Sequence, residues 1–265
     1  MRTAPATTAP TRGSWTWAWA GLVTGLLVAL VLFLPASWLA ARIEQASAGR
    51  VQLPDARGTL WSGSARLVLT GGAGSTDELT LPGRLDWRVR PRWNGLLIEL
   101  ASPCCTSQPV TVHVKPTWRG AALVVEDGQT QWPAALLAGL GTPWNTLQLD
   151  GDLTLLTQSL SVEWFEGRMA MAGRAELRAQ RMSSRLSTLR PMGSYRITVV
   201  GGATPTLQLE TLEGSLQLKG SGQWVGSRLH FTGEATAAPE REDALANLLN
   251  IIGRRSGARS IISIG

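Results

Sequence analysis

Hydrophobic residues follow two different patterns along this chain. The first is a continuous run of twenty uncharged positions from Trp15 to Leu34. At about 1.5 Å per helical residue, such a run is roughly 30 Å long, which matches the hydrocarbon core of a membrane. After this run, apolar and polar positions alternate, as is typical of β-strands with one buried face. The two patterns predict one membrane helix followed by a β-domain.

Tryptophans border the apolar run at both ends. Trp15, Trp17 and Trp19 stand at its start, and Trp38 follows its end. Because amphipathic indole rings favour the headgroup boundary, we interpret these four residues as interfacial anchors. The predicted transmembrane helix is therefore 15–38.

Charge around the run predicts its orientation. The tail 1–14 contains Arg2 and Arg12 and no acidic residue. Because positive charge resists translocation, the tail is expected in the cytoplasm and the bulk of the chain in the periplasm, with a single pass through the inner membrane. A cleaved signal peptide is the alternative, since Ala46-Ser47-Ala48 fits an Ala-x-Ala cleavage pattern. Signal-peptide cores are usually shorter, about 7–15 residues, which favours an uncleaved anchor.

Small residues recur every fourth position within the run. Gly21, Gly25 and Ala29 share one helix face. Small side chains let a second membrane helix approach closely, so we predict a membrane-helix packing face. The alternative is that glycine and alanine are simply common in such spans.

The alternation that follows is typical of an antiparallel sheet. Odd positions of 79–89 are mostly apolar and even ones mostly polar, and 147–155 repeats the pattern. Parallel strands buried on both faces would be uniformly apolar. We therefore predict a mainly β fold, an antiparallel sheet with one buried face that is curled or groove-like. Further alternation occurs in 110–114, 207–209, 216–218 and 229–231.

These patterns divide the chain into segments. The stretch 39–55 is a membrane-proximal linker, and 56–265 is the periplasmic β-domain, with possible halves 56–131 and 142–265. Short helices are expected in 132–141, which has an early proline and a terminal glycine, and in 183–189.

A C-terminal helix is expected after Pro239. Leu245, Leu248, Leu249 and Ile252 form a stripe with the i, i+3, i+4, i+7 spacing of an amphipathic helix. We expect the stripe to pack on the sheet, and docking on a partner is the alternative.

Charge and cysteine content narrow the possible partners. The 25 basic and 19 acidic residues are interspersed, which argues against nucleic-acid binding.

The two cysteines, Cys104 and Cys105, are adjacent. In an oxidising compartment they can form a disulfide only through a strained ring, so free thiols or an intermolecular bridge remain alternatives. No histidine or second cysteine pair lies nearby in sequence, so no metal site is predicted.

Catalytic motifs are missing from the sequence. His113 and His230, the two histidines, lie at polar-face positions and are interpreted as surface residues. No phosphate-binding glycine loop or metal-loop spacing of carboxylates occurs. We predict no catalytic, cofactor-binding or metal-binding residue and a protein that is not an enzyme. The alternative is an enzyme whose cluster forms only in three dimensions.

Four motifs carry a family resemblance. They are Gly-Thr-Leu-Trp-Ser-Gly at 58–63, Pro-Gly-Arg-Leu-Asp-Trp at 82–87, Gly-Ser-Tyr-Arg at 193–196 and the stretch 245–255. With the N-terminal anchor, they resemble type II secretion system protein N. The resemblance implies an inner-membrane accessory component of the general secretion pathway, which moves folded periplasmic proteins across the outer membrane. Its implied partners are the lipid bilayer and other inner-membrane components. A further similarity to elongated β-groove proteins of the AsmA-like kind implies the alternative, a lipid-binding or lipid-transfer protein with lipid in an apolar groove.

Overall fold

The computed structural model describes residues 14–72, 74–118, 120–165, 168–226 and 228–265 and is mainly β. The predicted β class and antiparallel pairing are confirmed. Of the predicted tail 1–14, all but Ser14 lie outside the described residues.

The helices and strands are numbered here in chain order. The helices are α1 Ser14–Leu32, α2 Ala36–Ala46, a 3₁₀ helix Ala134–Leu140, α3 Trp144–Leu147 and α4 Glu242–Ile252. The strands are β1 Val51–Gln52, β2 Arg57–Gly58, β3 Ser62–Ala65, β4 Val68–Thr70, β5 Glu78–Thr80, β6 Leu85–Arg92, β7 Gly95–Ala101, β8 Val110–Thr117, β9 Gly120–Val125, β10 Gly128–Pro133, β11 Leu149–Phe165, β12 Arg168–Ser184, β13 Gly193–Gly202, β14 Thr206–Gly214, β15 Leu216–Val225, β16 Arg228–Ala237, β17 Arg254–Ser256 and β18 Arg259–Ile264.

One large antiparallel sheet contains most of the strands. Within the described residues its order is β17-β18-β16-β15-β14-β13-β12-β11-β9-β8-β7-β6-β3-β2, and β10 pairs with β11 beside β9. Strands β1, β4 and β5 form a separate small sheet. The groups of strands before and after the 3₁₀ helix are therefore joined in one sheet, through the pairing of β9 with β11.

Successive hairpins give the large sheet two different ends. Because the strands alternate in direction, the hairpins β6–β7, β8–β9, β11–β12, β13–β14 and β15–β16 turn at one end, which we name the tip end. At the opposite end lie the 3₁₀ helix, α3 and α4, and we name it the helix end.

Bulges bend the longest hairpin. The register of β11 and β12 shifts between Gln158 and Ser161. Gly173 lies opposite this bulge with φ of +84°, and a Cβ there would collide with the carbonyl oxygen of Ser159. Bulges increase the local twist and bend of a strand, so this pair curves the middle of the sheet.

The main hydrophobic core lies at the helix end. There α4 and the 3₁₀ helix cover the apolar face, and the core includes Met182, Tyr195, Leu216 and Leu248. A second hydrophobic cluster lies near the β2 edge of the sheet, where α2 packs against Trp87 on β6 and Ala65 on β3.

The N-terminal region forms two helices. Helix α1 ends at Leu32 and α2 begins at Ala36, because Pro35 lacks a backbone N–H and restricts the residue before it. In the part of the chain that the structure describes, no helix combines the length and apolar character needed to cross a membrane. The stretch predicted as a linker, 39–55, contains most of α2 and strand β1.

Three local expectations from the sequence were wrong. The alternation 79–89 is split between β5 and β6, because Pro82 cannot donate to a ladder and Gly83 has φ of +90°. Residue 147 lies in α3 rather than in a strand. Residues 185–189 form a turn instead of a helix, since the Ser184 hydroxyl accepts the backbone N–H of Leu186.

Candidate functional site: an exposed helix and a partly open apolar face

Helix α1 leaves its side chains uncovered. Every residue from Trp17 to Val28 is exposed. No described atom lies within 4 Å of a Cβ built at Gly21 or Gly25. The small-residue face of Gly21, Gly25 and Ala29 is therefore open to a neighbouring helix along most of its length.

The end of α1 is bonded to the sheet. The indole Nε1 of Trp61 donates a hydrogen bond of 2.9 Å to the Val31 carbonyl oxygen, and the backbone N–H of Leu60 donates one of 2.8 Å to Leu34. The last carbonyl groups of a helix lack partners within it, and Trp61 supplies one for Val31, while Leu60 bonds to Leu34, two residues after the helix. The turn between β2 and β3 thus holds the last turn of α1.

The four tryptophans predicted as interfacial anchors lie on two helices. Trp15, Trp17 and Trp19 are exposed in the first turns of α1. Trp38 lies on α2, where the Arg42 guanidinium is 5.1 Å from the centroid of its ring. That distance suits a cation–π contact, which fixes the orientation of this indole.

Helix α4 has the stripe expected from the sequence and buries it. Leu245 and Leu249 are 0% exposed and Leu248 is 2% exposed, while Ile252 packs against the same core at its edge. The Ser260 hydroxyl donates a 2.5 Å hydrogen bond to the Leu249 carbonyl oxygen, which joins α4 to β18. The stripe is part of the domain core.

The apolar face of the sheet extends beyond the area that the helices cover. In register across β12, β13 and β14 lie Ala175, Val199 and Leu207, all only half-buried. A strip of partly exposed apolar side chains therefore crosses β12, β13 and β14 between α4 and the tip end.

The opposite face of the same strands is charged and paired. Glu176 on β12 accepts hydrogen bonds from Arg178 at 2.6 Å and Arg174 at 3.0 Å, and Arg196 lies 3.4 Å away. The hydrogen bond from Arg178, together with the other arginines, lowers the pKa of Glu176 against the opposing effect of burial. Arg196 also bonds to Glu210, which extends the network to β14.

The two cysteines form a disulfide in a loop beside β10. Cys104 and Cys105 are bonded to each other, and Cys105 is buried against Leu81 and Leu136. The backbone N–H of Gln131 donates a 2.8 Å hydrogen bond to the Cys105 carbonyl oxygen. The loop thereby covers the edge of β10 that does not pair with β11.

The two histidines lie on separate strands, His113 on β8 and His230 on β16. His113 Nε2 is 2.9 Å from Glu126 Oε1, and this hydrogen bond lowers the pKa of Glu126. His230 is exposed on β16. Among the described residues, no group of three or more His, Cys, Asp or Glu side chains is arranged to hold a metal ion.

A comparison with protein families adds the decisive observation. The family model described as type II secretion system (T2SS), protein N matches residues 49–262. The chain belongs to this family. Its matched region begins just after α2 and ends within β18, so it includes the strands of both sheets except the last two residues of β18. The chain matches no curated protein and no solved structure at a significant level.

Two exposed tryptophans of this T2SS protein N family member were not among the sequence-predicted site residues. Trp93 and Trp118 are 107% and 98% exposed at the ends of β6 and β8. The available signal was a tryptophan next to arginine within a polar turn, in Arg-Trp-Asn-Gly at 92–95 and Thr-Trp-Arg-Gly at 117–120. Alternation does not reveal such residues, because it describes strands and not turns.

Proposed function

We propose that the protein is a non-enzymatic accessory component of the type II secretion pathway, held in the inner membrane with its β-domain in the periplasm. The match of the family model to residues 49–262 carries this proposal, because it spans nearly all of the β-domain. The β-domain then assists other components of the machine to export folded periplasmic proteins.

Membrane anchoring is supported by the chemistry of the N-terminal region. The uncharged segment Trp15–Leu34 includes all of α1 except Ser14, together with the two residues after α1, and most apolar side chains of α1 are exposed. Exposed side chains such as Leu26 and Val28 are unfavourable in water and favourable in lipid. Hydrogen bonds at Val31 and Leu34 then connect the anchor to the sheet.

Fusion of a reporter tests the topology. A phosphatase that is active only in the periplasm, fused after Gly265, should be active, and the mature chain should retain Met1 through Leu34. A chain that begins near Gly49 would show a cleaved signal peptide instead. The same reporter fused after Gly13 should be inactive and serves as the matched control.

Secretion in a strain that lacks the gene tests the function. Secreted proteins should accumulate folded in the periplasm and decrease in the medium, and the wild-type gene should restore their release. A Gln217→Ala variant, changed at an exposed position on the polar face, should restore it equally well. Normal release in the deletion strain would contradict the proposal.

A lipid-binding role is a second candidate, supported by the half-buried apolar strip. A Leu207→Glu variant places a charge on this strip, whereas Gln208→Glu places the same charge on the opposite face of the same strand. If the strip holds lipid, mass spectrometry after mild purification should find lipid with wild type and Gln208→Glu and much less with Leu207→Glu. Equal lipid content in all three proteins would exclude this role for the strip.

A further inference from the structure

Three neighbouring hairpins carry exposed aromatic side chains at the tip end. Trp93 lies between β6 and β7, and Trp118 follows β8, both fully exposed. Strand β11 ends with Trp164 and Phe165, which are 43% and 46% exposed, and Met169 on β12 is 37% exposed. Single exposed apolar residues are ordinary on protein surfaces, but a set at one end of a sheet indicates an interaction surface.

The aromatic side chains form a row. Strands β6, β7, β8, β9, β11 and β12 are consecutive neighbours in the sheet. Adjacent strands are about 4.8 Å apart, so successive hairpin tips are roughly 10 Å apart and the row is roughly 20 Å long. We name Trp93, Trp118, Trp164, Phe165 and Met169 the aromatic row.

The row begins beside the end of α1. Ser62 on β3 pairs with Arg88 on β6, and the Trp61 carbonyl oxygen accepts a 2.7 Å hydrogen bond from the N–H of Val89. The turn that holds α1 therefore lies beside the middle of β6, and Trp93 follows four residues after Val89 in the same hairpin. Because residues Trp17 to Val28 of α1 are exposed and its last turn is bonded to Trp61, α1 extends away from the sheet at this point.

The charges near the row fit an anionic lipid surface. Arg92 adjoins Trp93, Lys115 is three residues before Trp118, and both are exposed. Glu163 is the exposed acidic residue nearest to the row among those described. Indole rings with adjacent basic side chains are characteristic of the membrane–water boundary, where the ring enters the headgroup layer and the cation meets lipid phosphate.

We propose that the tip end of the sheet rests on the membrane that α1 enters, with the aromatic row in an anionic headgroup layer. This inference rests on the membrane anchor of the proposed function. The membrane is the occupant that the position predicts, because the row begins on the hairpin of β6, the strand beside which α1 leaves the sheet. Contact at this end fixes the orientation of the sheet, with the helix end and α4 directed away from the bilayer.

Site-specific fluorescence in the full-length chain tests this contact. Trp93→Cys and, separately, Trp118→Cys would be labelled with an environment-sensitive dye and reconstituted in vesicles of phosphatidylglycerol and phosphatidylcholine. Gln217→Cys, on β15 at the helix end, is the matched control. Labels at 93 and 118 should emit at shorter wavelength and be quenched at least twofold by brominated lipid, whereas the label at 217 should be quenched by aqueous iodide. Two independent positions keep the test informative if one variant fails to fold.

Two outcomes would overturn the inference. Labels at 93 and 118 that are as sensitive to iodide as the label at 217 would place the row in water. Labels protected from both iodide and brominated lipid would indicate a protein partner instead. Extraction of the same vesicles with alkaline carbonate reports the anchor separately: resistant protein with water-exposed tips retains the proposed function and rejects the aromatic row as a lipid contact, whereas extracted protein rejects the anchor itself.

Discussion

Helices α4 and α1 are both rich in leucine and have opposite surroundings. Helix α4 has apolar residues along one stripe, and Leu245 and Leu249 on that stripe are fully buried against the sheet. Helix α1 is apolar on nearly all sides, and its residues from Trp17 to Val28 are exposed. An amphipathic helix needs only one apolar surface, which a domain can supply, whereas a helix that is apolar all round needs an apolar environment on every side. The contrast separates a helix whose apolar surface is buried within the domain from one whose apolar surface stays uncovered in the described chain.

The two faces of the large sheet repeat this contrast. On the polar face, the Glu176 carboxylate is paired with three arginines of its own and the neighbouring strand. On the apolar face, Val199 and Leu207 stay half-exposed where α4 no longer covers them. Side chains that are paired or buried within the domain contribute to its stability. Apolar side chains that the domain leaves partly exposed are the candidates for function.

Leu248→Ala is expected to have the largest effect on stability. Leu248 is 2% exposed in the main core, and truncation of a buried leucine costs about 2–5 kcal/mol of unfolding free energy. The thermal midpoint of the purified full-length protein should fall, and protease should digest its β-domain faster. Both quantities can be measured in detergent by thermal unfolding and limited proteolysis.

The matched control for this change is Leu22→Ala on α1. Leu22 is 61% exposed, so the same truncation should leave the thermal midpoint of the β-domain unchanged. If Leu248→Ala left stability intact and instead abolished complex formation with other secretion components, α4 would be a docking helix and the comparison with α1 would fail.

Gly25→Leu should affect association without affecting the fold. Because a Cβ at Gly25 meets open space, leucine there is tolerated within the chain itself but prevents close approach of a second membrane helix. We expect a loss of about 1 kcal/mol in helix association with unchanged membrane insertion. Crosslinking between membrane helices in vesicles measures the first quantity, and carbonate extraction measures the second.

Leu27→Ala is the appropriate control, since Leu27 lies on the opposite side of α1 from Gly25 and leaves the small-residue face unchanged. Its crosslinking should equal that of wild type. Equal crosslinking by Gly25→Leu would mean that Gly21, Gly25 and Ala29 do not form a packing face.

Sequence periodicity predicted the elements that depend on local chemistry. The apolar stripe of α4 could be predicted from the sequence because its leucine and isoleucine positions repeat at helical spacing. The strands β14, β15 and β16 were readable because their polar and apolar residues alternate. In each case one face must leave water and the other must stay in it.

Features that depend on pairing between segments far apart in the sequence could not be predicted from periodicity. The two groups of strands are joined by hydrogen bonds of both β9 and β10 to β11, across the 3₁₀ helix and α3 that lie between them along the chain. The aromatic row depends on which hairpin ends the sheet brings together, and neither Trp93 nor Trp118 belongs to a periodic pattern. The small sheet of β1, β4 and β5 has strands of only two or three residues, which is too short for alternation to be recognised.

The smallest effect is expected on the polar face, from Glu176→Gln. The side chain of Glu176 is 13% exposed, and the hydrogen bond from Arg178 keeps its pKa below the ordinary value. A carboxylate whose pKa is lower in the folded state stabilises the fold fully above its unfolded pKa of about 4.3, and this contribution is lost as the pH falls through the folded value.

Glu176→Gln should therefore lower the unfolding free energy at pH 7 by no more than about 1 kcal/mol, as for partly exposed ion pairs. The difference from wild type should disappear in acid, at a pH below the folded-state pKa of Glu176. Urea titrations at both pH values measure it, with Glu234→Gln as the control, because Glu234 is 46% exposed and its Arg259 partner is 3.4 Å away. A deficit for Glu176→Gln that persists unchanged in acid would assign the effect to packing of the side chain and would remove the charge pairing from the contrast between the two faces.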